Sequence, residues 1–328
     1  MQSLILINSG WLLHFVLSFY LIRHINHLLL RGVLTLIPCI ILTDIGARNL
    51  PPHDIQSVFG IACYWMMCLR LLHLVVLSVD QSQTFLSFLC KCLWIYFPVK
   101  PCSVEEKQWS VMFHLLSAVI KFLLNRLIHK WLLICEANDS YIRVMVYFIS
   151  ILTFSYVIDL ETVLVRIITR DQYTMQSLNN IPFLSQSVRE FWGQRYNQII
   201  GTILKESLFQ PLNLYISSRS ISSLLTFTVS GLFHAHIVLV VFNDKSSLWS
   251  TFAGFFLNGI ACGMETYLPA RLPSLFRYML TYGVLLFTAP MCLGPYAEDK
   301  AVYFGVDPLS SLGDRMISIL PVPNICPV

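Results

Sequence analysis

The residue of this chain best placed to do chemistry is His234, which sits near the middle of an apolar run from Leu224 to Val241. An ionisable group in hydrocarbon is expensive unless it faces a protein interior or a watered cavity, so a histidine there marks a candidate functional site. On a helix Ser223, Thr226, Ser230 and His234 fall on one face at spacings of three and four. Such a stripe could move a proton, ligate a metal or line a permeation path. The metal alternative looks to His234-Ala235-His236 and His24-Ile25-Asn26-His27, which are like the histidine boxes of membrane di-iron enzymes. Helical residues two apart point about 200° apart, so His234 and His236 do not share one metal without unwinding. No third box with adjacent histidines is present, and no G-x-S-x-G elbow that would support a serine nucleophile. No metal is expected.

A second informative stretch is the polar interval from Arg166 to Arg219, which carries Arg166, Arg170, Arg189, Arg195, Lys205 and Arg219. Its basic excess favours the cytoplasmic side of a membrane. Ser187-Val188-Arg189-Glu190 reads as a capping box opening a helix, the serine serving free amides and the glutamate reaching back. Beyond it Phe191, Trp192, Tyr196, Ile199, Ile200, Ile203 and Leu204 form one apolar arc, with Gln194, Asn197, Gln198, Gly201 and Lys205 opposite or at its margin. An interfacial helix lying along the membrane surface fits that pattern. Arg195 breaks it by falling inside the arc, where it could snorkel toward headgroups.

These residues need elements to hold them, and composition says which. With 56% hydrophobic and 12% charged residues, the chain is too apolar for an ordinary soluble domain and reads as a polytopic membrane protein. Runs long enough to span lie near Leu4–Leu21, Leu28–Leu42, Val58–Val79, Val111–Cys135, Tyr141–Leu164, Leu224–Val241, Leu248–Leu268 and Leu275–Leu293, about eight in all. Leu28–Leu42 is short and stops before Asp44. Val111–Cys135 holds Lys121, Arg126, His129 and Lys130, so it is either an interfacial helix or a span lining a polar cavity. The fold class expected is all-α, a single membrane-bound domain over 1–328 with N-terminal spans in 1–165 and the chemistry in 175–295.

Smaller signals exclude other classes. The first span lacks a basic leader and a small-residue cleavage site, and is expected to be retained. Of ten cysteines, Cys39, Cys63, Cys68 and Cys262 lie inside apolar runs and read as packing residues. Cys90 and Cys92 are too few for zinc, and Cys326 is misplaced for prenylation. The net charge of +4 is spread over many loops, which argues against a nucleic-acid partner. Repeated halves of the transporter kind are absent. Asn138-Asp139-Ser140 matches a glycosylation acceptor, a triplet common by chance.

Ser187-Val188-Arg189-Glu190-Phe191-Trp192-Gly193-Gln194-Arg195-Tyr196-Asn197, followed by Val229-Ser230-Gly231-Leu232-Phe233-His234, resembles the wax-synthase-type branch of the membrane-bound O-acyltransferase family. The resemblance continues through Phe255-Phe256-Leu257-Asn258-Gly259-Ile260-Ala261-Cys262-Gly263-Met264-Glu265 and Leu286-Phe287-Thr288-Ala289-Pro290, over roughly Met175 to Pro295. It implies transfer of an acyl group from coenzyme A to a hydroxyl, with the family's two hallmark polar residues falling on Asn197 and His234. An alcohol is a poor nucleophile at neutral pH, and a neutral imidazole within reach can take its proton. Asn197 would then donate to the developing oxyanion or orient the acceptor hydroxyl.

Arg195 would then be placed to meet the phosphates of coenzyme A, with Trp192 and Tyr196 beside it; Ser230, Thr226 and Asn258 are expected in the substrate cavity, and Glu265 is either a cavity residue or a structural hydrogen-bond partner. Ala235 stands where the family often has glutamate, Tyr196 replaces tryptophan, and Asn258 stands where many relatives have histidine, which bears on acceptor choice. The implied partners are acyl-CoA or acetyl-CoA and a lipophilic alcohol, with no permanently bound cofactor, in the membrane of the endoplasmic reticulum. The leading acceptor is a long-chain fatty alcohol, giving a wax ester; a sterol, a terpenoid or another secondary metabolite is the alternative. A non-catalytic transporter or lipid-binding protein, with the stripe on the Leu224–Val241 run lining its path, is the reading from another class.

Overall fold

In hydrocarbon the backbone has no partner but itself, so the apolar runs become helices. The computed structural model describes residues 2–77, 82–134, 141–268 and 272–298. The N-terminal part holds α1 (Gln2–Tyr20), α2 (Leu28–Arg48), α3 (Ile55–Leu71, continued by a π-helical turn Leu72–Leu77) and α4 (Phe85–Cys92). Next come α5 (Val104–Gln108), α6 (Val111–Ile134), α7 (Tyr141–Thr153) and α8 (Tyr156–Ile168). Short strands β1 (Val99–Pro101) and β2 (Tyr173–Met175) pair antiparallel and tie the loop after α4 to the loop after α8. The chain continues through α9 (Val188–Glu190), a π turn Phe191–Arg195, α10 (Gln198–Leu204), a π turn Lys205–Phe209 and α11 (Gln210–Ile216). Three long helices close the described chain, α12 (Arg219–Val241), α13 (Leu248–Met264) and α14 (Ser274–Glu298).

Among the described residues seven segments are long and apolar enough to cross a bilayer: Leu6–His24, Leu28–Arg48, Ile55–Leu77, Val111–Leu132, Tyr141–Ile168, Arg219–Val241 and Ser274–Ala297. The expected span Leu248–Leu268 is the shortfall. Its helix α13 has 17 residues, about 25 Å at 1.5 Å per residue, and ends in the 3-10 turn Glu265–Tyr267, short of a ~30 Å hydrocarbon core. The second expected span runs past Leu42 to Arg48 because Asp44 and Arg48, one turn apart, neutralise each other at 2.8 Å. The expected span Tyr141–Leu164 is among the seven and runs on to Ile168, with a turn at Phe154 and Ser155 between α7 and α8. The acceptor triplet Asn138-Asp139-Ser140 and Cys326 lie outside the described residues.

Two apolar cores share α3. Its Tyr64, Met67 and Leu71 pack with Trp11, Phe15 and Phe19 of α1 and with Cys39 and Phe88. Its Ile61, Met66 and Leu69 join Leu132, Tyr147, Ile203, Val238 and Tyr296 from the C-terminal helices. The charges of α6 turn inward as well. Lys121 meets Asp159 at 2.7 Å, Asn125 donates to the Ser150 carbonyl at 2.9 Å, and Arg126 and His129 are buried, so α6 is a packed span whose polar side is spent on α7 and α8. Outward, Leu6, Leu29 and Ile40 stand well exposed, as a face toward lipid requires.

The tightest pair is α12 against α13. A Cβ on Gly259 would lie 2.7 Å from the Phe227 Cβ, and one on Gly231 would lie 3.1 Å from the Phe252 carbonyl. Only glycine lets the two backbones come this close. That approach carries Phe255 over His234.

Candidate active site

The helices α3, α7, α8, α12 and α14, with the irregular segment between α8 and α12, surround a chamber of about 1310 Å³. Its walls are mostly apolar. Ser223, Thr226, Ser230 and His234 all line it, so the single face expected on α12 is one continuous wall.

The His234 ring stacks on Phe255, centroids 3.9 Å apart and planes 21° apart, and Phe233 meets it edge-on. Its Nδ1 lies 2.8 Å from the Ser230 carbonyl oxygen, one turn back. A carbonyl only accepts, so Nδ1 carries the proton and Nε2 keeps its lone pair. Among the described residues Nε2 has no protein partner. The ring is therefore held by its donor nitrogen and by stacking, with its basic nitrogen left for whatever the chamber holds.

Asn197 also lines the chamber, for a different local reason. The helix begun by α9 does not run through to Lys205 as an amphipathic surface helix. It loosens into the π turn Phe191–Arg195, becomes extended at Tyr196, and reverses at Asn197, whose φ is 42°. Asparagine is among the few residues that adopt this left-handed conformation readily. Its Oδ1 then caps α10 by accepting from the Ile200 amide at 3.4 Å, while the Asn197 backbone N–H donates to Asn179 Oδ1 at 3.0 Å. With the oxygen committed, the Asn197 Nδ2 donors have no protein partner among the described residues.

Trp192 and Tyr196 line the chamber and meet edge to face, with Tyr196 stacked on Phe191 at 5.2 Å. The other expected residues sit elsewhere. Arg195 is absent from the chamber wall. Its Nε donates to Glu190 at 2.6 Å and one Nη to the Asn180 carbonyl at 3.3 Å, because the π turn swings it off the face a continuous helix would give it. Asn258 is fully buried behind Trp192, accepting from the indole N–H at 2.9 Å and donating to Gly254 and Thr288. Glu265 is a helix cap. Its two oxygens accept from the Val188 and Arg189 amides at 2.5 and 3.1 Å, placing an anion at the N-terminus of α9. Glu190 in turn accepts from the Gln186 amide instead of the Ser187 amide, so only half of the expected capping box forms, by Ser187 Oγ at 2.9 Å from the Glu190 amide.

Several wall residues were not assigned to the site from sequence. Phe255 carries the His234 ring, Arg189, Lys205 and Arg219 are exposed cations at the chamber wall without an ion pair among the described residues, and Glu161 is a carboxylate on the α8 side. Readable signals existed for the three cations, as members of the basic interval, and for Glu161, as an acid inside a spanning run. Two of the histidines weighed as metal ligands are otherwise engaged. His236 accepts from the Trp65 indole at 2.9 Å, and His27 caps α2 by accepting from the Leu30 amide at 3.2 Å.

Residues 175–257 match the model of the membrane bound O-acyl transferase family. The chain is 31% identical over 93 residues to a probable long-chain-alcohol O-fatty-acyltransferase 9 of Arabidopsis thaliana, covering 26% of this chain and 27% of the relative. It is 30% identical over 93 residues to the long-chain-alcohol O-fatty-acyltransferase of Simmondsia chinensis, covering 26% of each. To the Acyl-CoA–sterol O-acyltransferase 1 of Arabidopsis thaliana it is 27% identical over 122 residues, 34% of this chain and 35% of the relative. The chain thus spans only about a quarter to a third of the length of these relatives. That matched part contains Trp192, Asn197 and His234 together, and through it the chain is similar to the membrane bound O-acyl transferase family.

Proposed function

We propose that this protein is an O-acyltransferase, moving an acyl group from acyl-CoA to the hydroxyl of a lipophilic alcohol inside the chamber. The observation that carries the reading is the unpaired Nε2 of His234 on the wall of a largely apolar cavity of about 1310 Å³. In the step envisaged, Nε2 takes the hydroxyl proton as the alcohol oxygen attacks the thioester carbonyl. The C–O bond forms and the C–S bond breaks, and the imidazolium returns the proton to the departing thiolate. The free amide of Asn197 is the proposed donor to the oxyanion of that step. Arg195 has no part in it, being spent on Glu190. Arg189, Lys205 and Arg219 are the cations proposed to meet the coenzyme A phosphates from the basic, cytoplasmic side.

The acceptor proposed is a long-chain fatty alcohol, supported by the names of two of the relatives above; the sterol acyltransferase among them supports a sterol as the second reading. The proposed location is the membrane of the endoplasmic reticulum, with acyl-CoA arriving from the cytosol. The test is label transfer from acetyl-CoA and palmitoyl-CoA to fatty alcohols, sterols and diacylglycerol, in membranes lacking endogenous acyltransferases. Ester formed by the wild type and lost in His234→Ala supports the reading and names the acceptor. Ester that survives His234→Ala overturns the proposed base.

A further inference from the structure

The chamber wall on the α8 side is Phe154, from the turn before the helix, with Val157, Ile158 and Glu161 of α8. Three of the four are apolar and the fourth is an acid. Of the charged side chains α8 carries, two are neutralised: Asp159 by Lys121 at 2.7 Å and Arg166 by Asp171 at 2.6 Å. Glu161 is the exception. It is half-buried in a segment of membrane-spanning character, lines the chamber, and has neither hydrogen bond nor ion pair among the described residues. The cations on the chamber wall, Arg189, Lys205 and Arg219, form no salt bridge with it.

A carboxylate withdrawn from bulk water must be hydrogen-bonded or it is strongly unfavourable, and packing here does not supply the partner. The side chain lines the cavity proposed above to take the substrates. We infer that Glu161 is a specificity-determining residue that accepts a hydrogen bond from an N–H or O–H carried by a substrate. The inference rests on the acyltransferase reading and goes beyond it, since a plain acyl chain or a plain alkyl alcohol beyond its reacting hydroxyl has no such donor. Two substrate groups have the required chemistry. One is the pair of amides in the pantetheine arm of the acyl donor; the other is a second hydroxyl on the acceptor.

The experiment measures KM for palmitoyl-CoA, and the ratio of kcat/KM for hexadecane-1,16-diol over hexadecanol, in wild type, Glu161→Leu and Glu161→Gln. A hydrogen bond to a charged group is lost in the leucine variant, which predicts a change of roughly tenfold to a hundredfold. The glutamine variant keeps an uncharged acceptor and falls between. If the donor is the pantetheine amide, KM for palmitoyl-CoA rises with either acceptor while kcat at saturation holds. If it is a second hydroxyl, the wild type prefers the diol and the preference disappears in Glu161→Leu with KM for palmitoyl-CoA unmoved. Membrane abundance and gel-filtration elution identify a variant that fails to fold, and the glutamine variant, which keeps the shape, then decides. Wild-type transfer with neither parameter moved in the folded variants overturns the inference alone. No transfer by the wild type overturns the acyltransferase reading, and the inference falls with it.

Discussion

Asn258 is a sharp place to perturb the molecule, because its sequence context suggests a substrate-facing residue and its hydrogen bonds make it the anchor of Trp192. Its Oδ1 accepts from the Trp192 indole at 2.9 Å and its Nδ2 donates to the Gly254 carbonyl and to Thr288 Oγ1, both near 2.9 Å. Asn258→Leu preserves side-chain size and removes all three bonds. Two of the losses are mild: the Gly254 carbonyl keeps its helical amide, and Thr288 Oγ1 still donates to the Val284 carbonyl at 2.9 Å. The remaining loss is the Trp192 N–H, left without an acceptor against a fully buried neighbour, at about 1–3 kcal/mol. Trp192→Phe orphans the Asn258 oxygen instead, for a similar amount plus some packing. Since each single change strands the other's partner, the double variant should be less destabilised than the sum by about 1–2 kcal/mol. Unfolding of detergent-solubilised protein, followed by circular dichroism in all four forms, measures that coupling. Additive effects, or an Asn258→Leu variant of unchanged stability with altered acceptor preference, would refute the anchor and restore the residue to the substrate.

Removal of the base in His234→Ala should lower kcat for ester formation by roughly 10²–10⁴-fold, with little change in stability, as measured by single-turnover label transfer. Asn197→Gly tests the oxyanion donor apart from the fold: glycine accepts the φ of 42° and weakens the α10 cap by only a few tenths of a kcal/mol, so a folded protein with reduced kcat is expected. Full activity in that variant removes Asn197 from the chemistry. Glu265→Ala strips both oxygens from the Val188 and Arg189 amides, and should lower stability by roughly 2–4 kcal/mol and reduce membrane abundance, with Glu265→Gln intermediate. Burial alone would raise the Glu190 carboxyl, but the Gln186 amide and the Arg195 guanidinium outweigh it and hold it below the usual carboxylate range. A depressed folded value stabilises above the unfolded one, near pH 4.5, and is lost as pH falls through the folded value. Glu190→Gln should accordingly lower the melting temperature at pH 7 and match the wild type in acid; equal pH profiles would disprove the pairing.

The α12 stripe was legible because Arg219–Val241 is one uninterrupted α-helix, so spacings of three and four on paper are one face in space. The seven spans are set by apolar length in the same way. Arg195 was misplaced for the converse reason. Five residues of π helix and the left-handed Asn197 shift the angular phase that the apolar arc assumed, so an arginine read as facing substrate turns to Glu190. Asn258 and Glu265 gain their roles from partners 66 and 77 residues away, which periodicity does not encode. Glu161 stood in plain view as an acid in an apolar run, but its significance depends on Asp159 and Arg166 being neutralised beside it.

The π turns give the chamber an adjustable dial. In an α-helix each residue turns the chain by about 100°, so removing one residue from Phe191–Arg195 would rotate the downstream chain by about that angle. Asn197 would leave the chamber wall by a change of phase, with no substitution at Asn197 itself. A second π turn at Lys205–Phe209 sets the same phase for α11 and for the loop that launches α12. Insertions and deletions of one residue in this segment are therefore changes of aim: they alter which downstream side chains face the chamber.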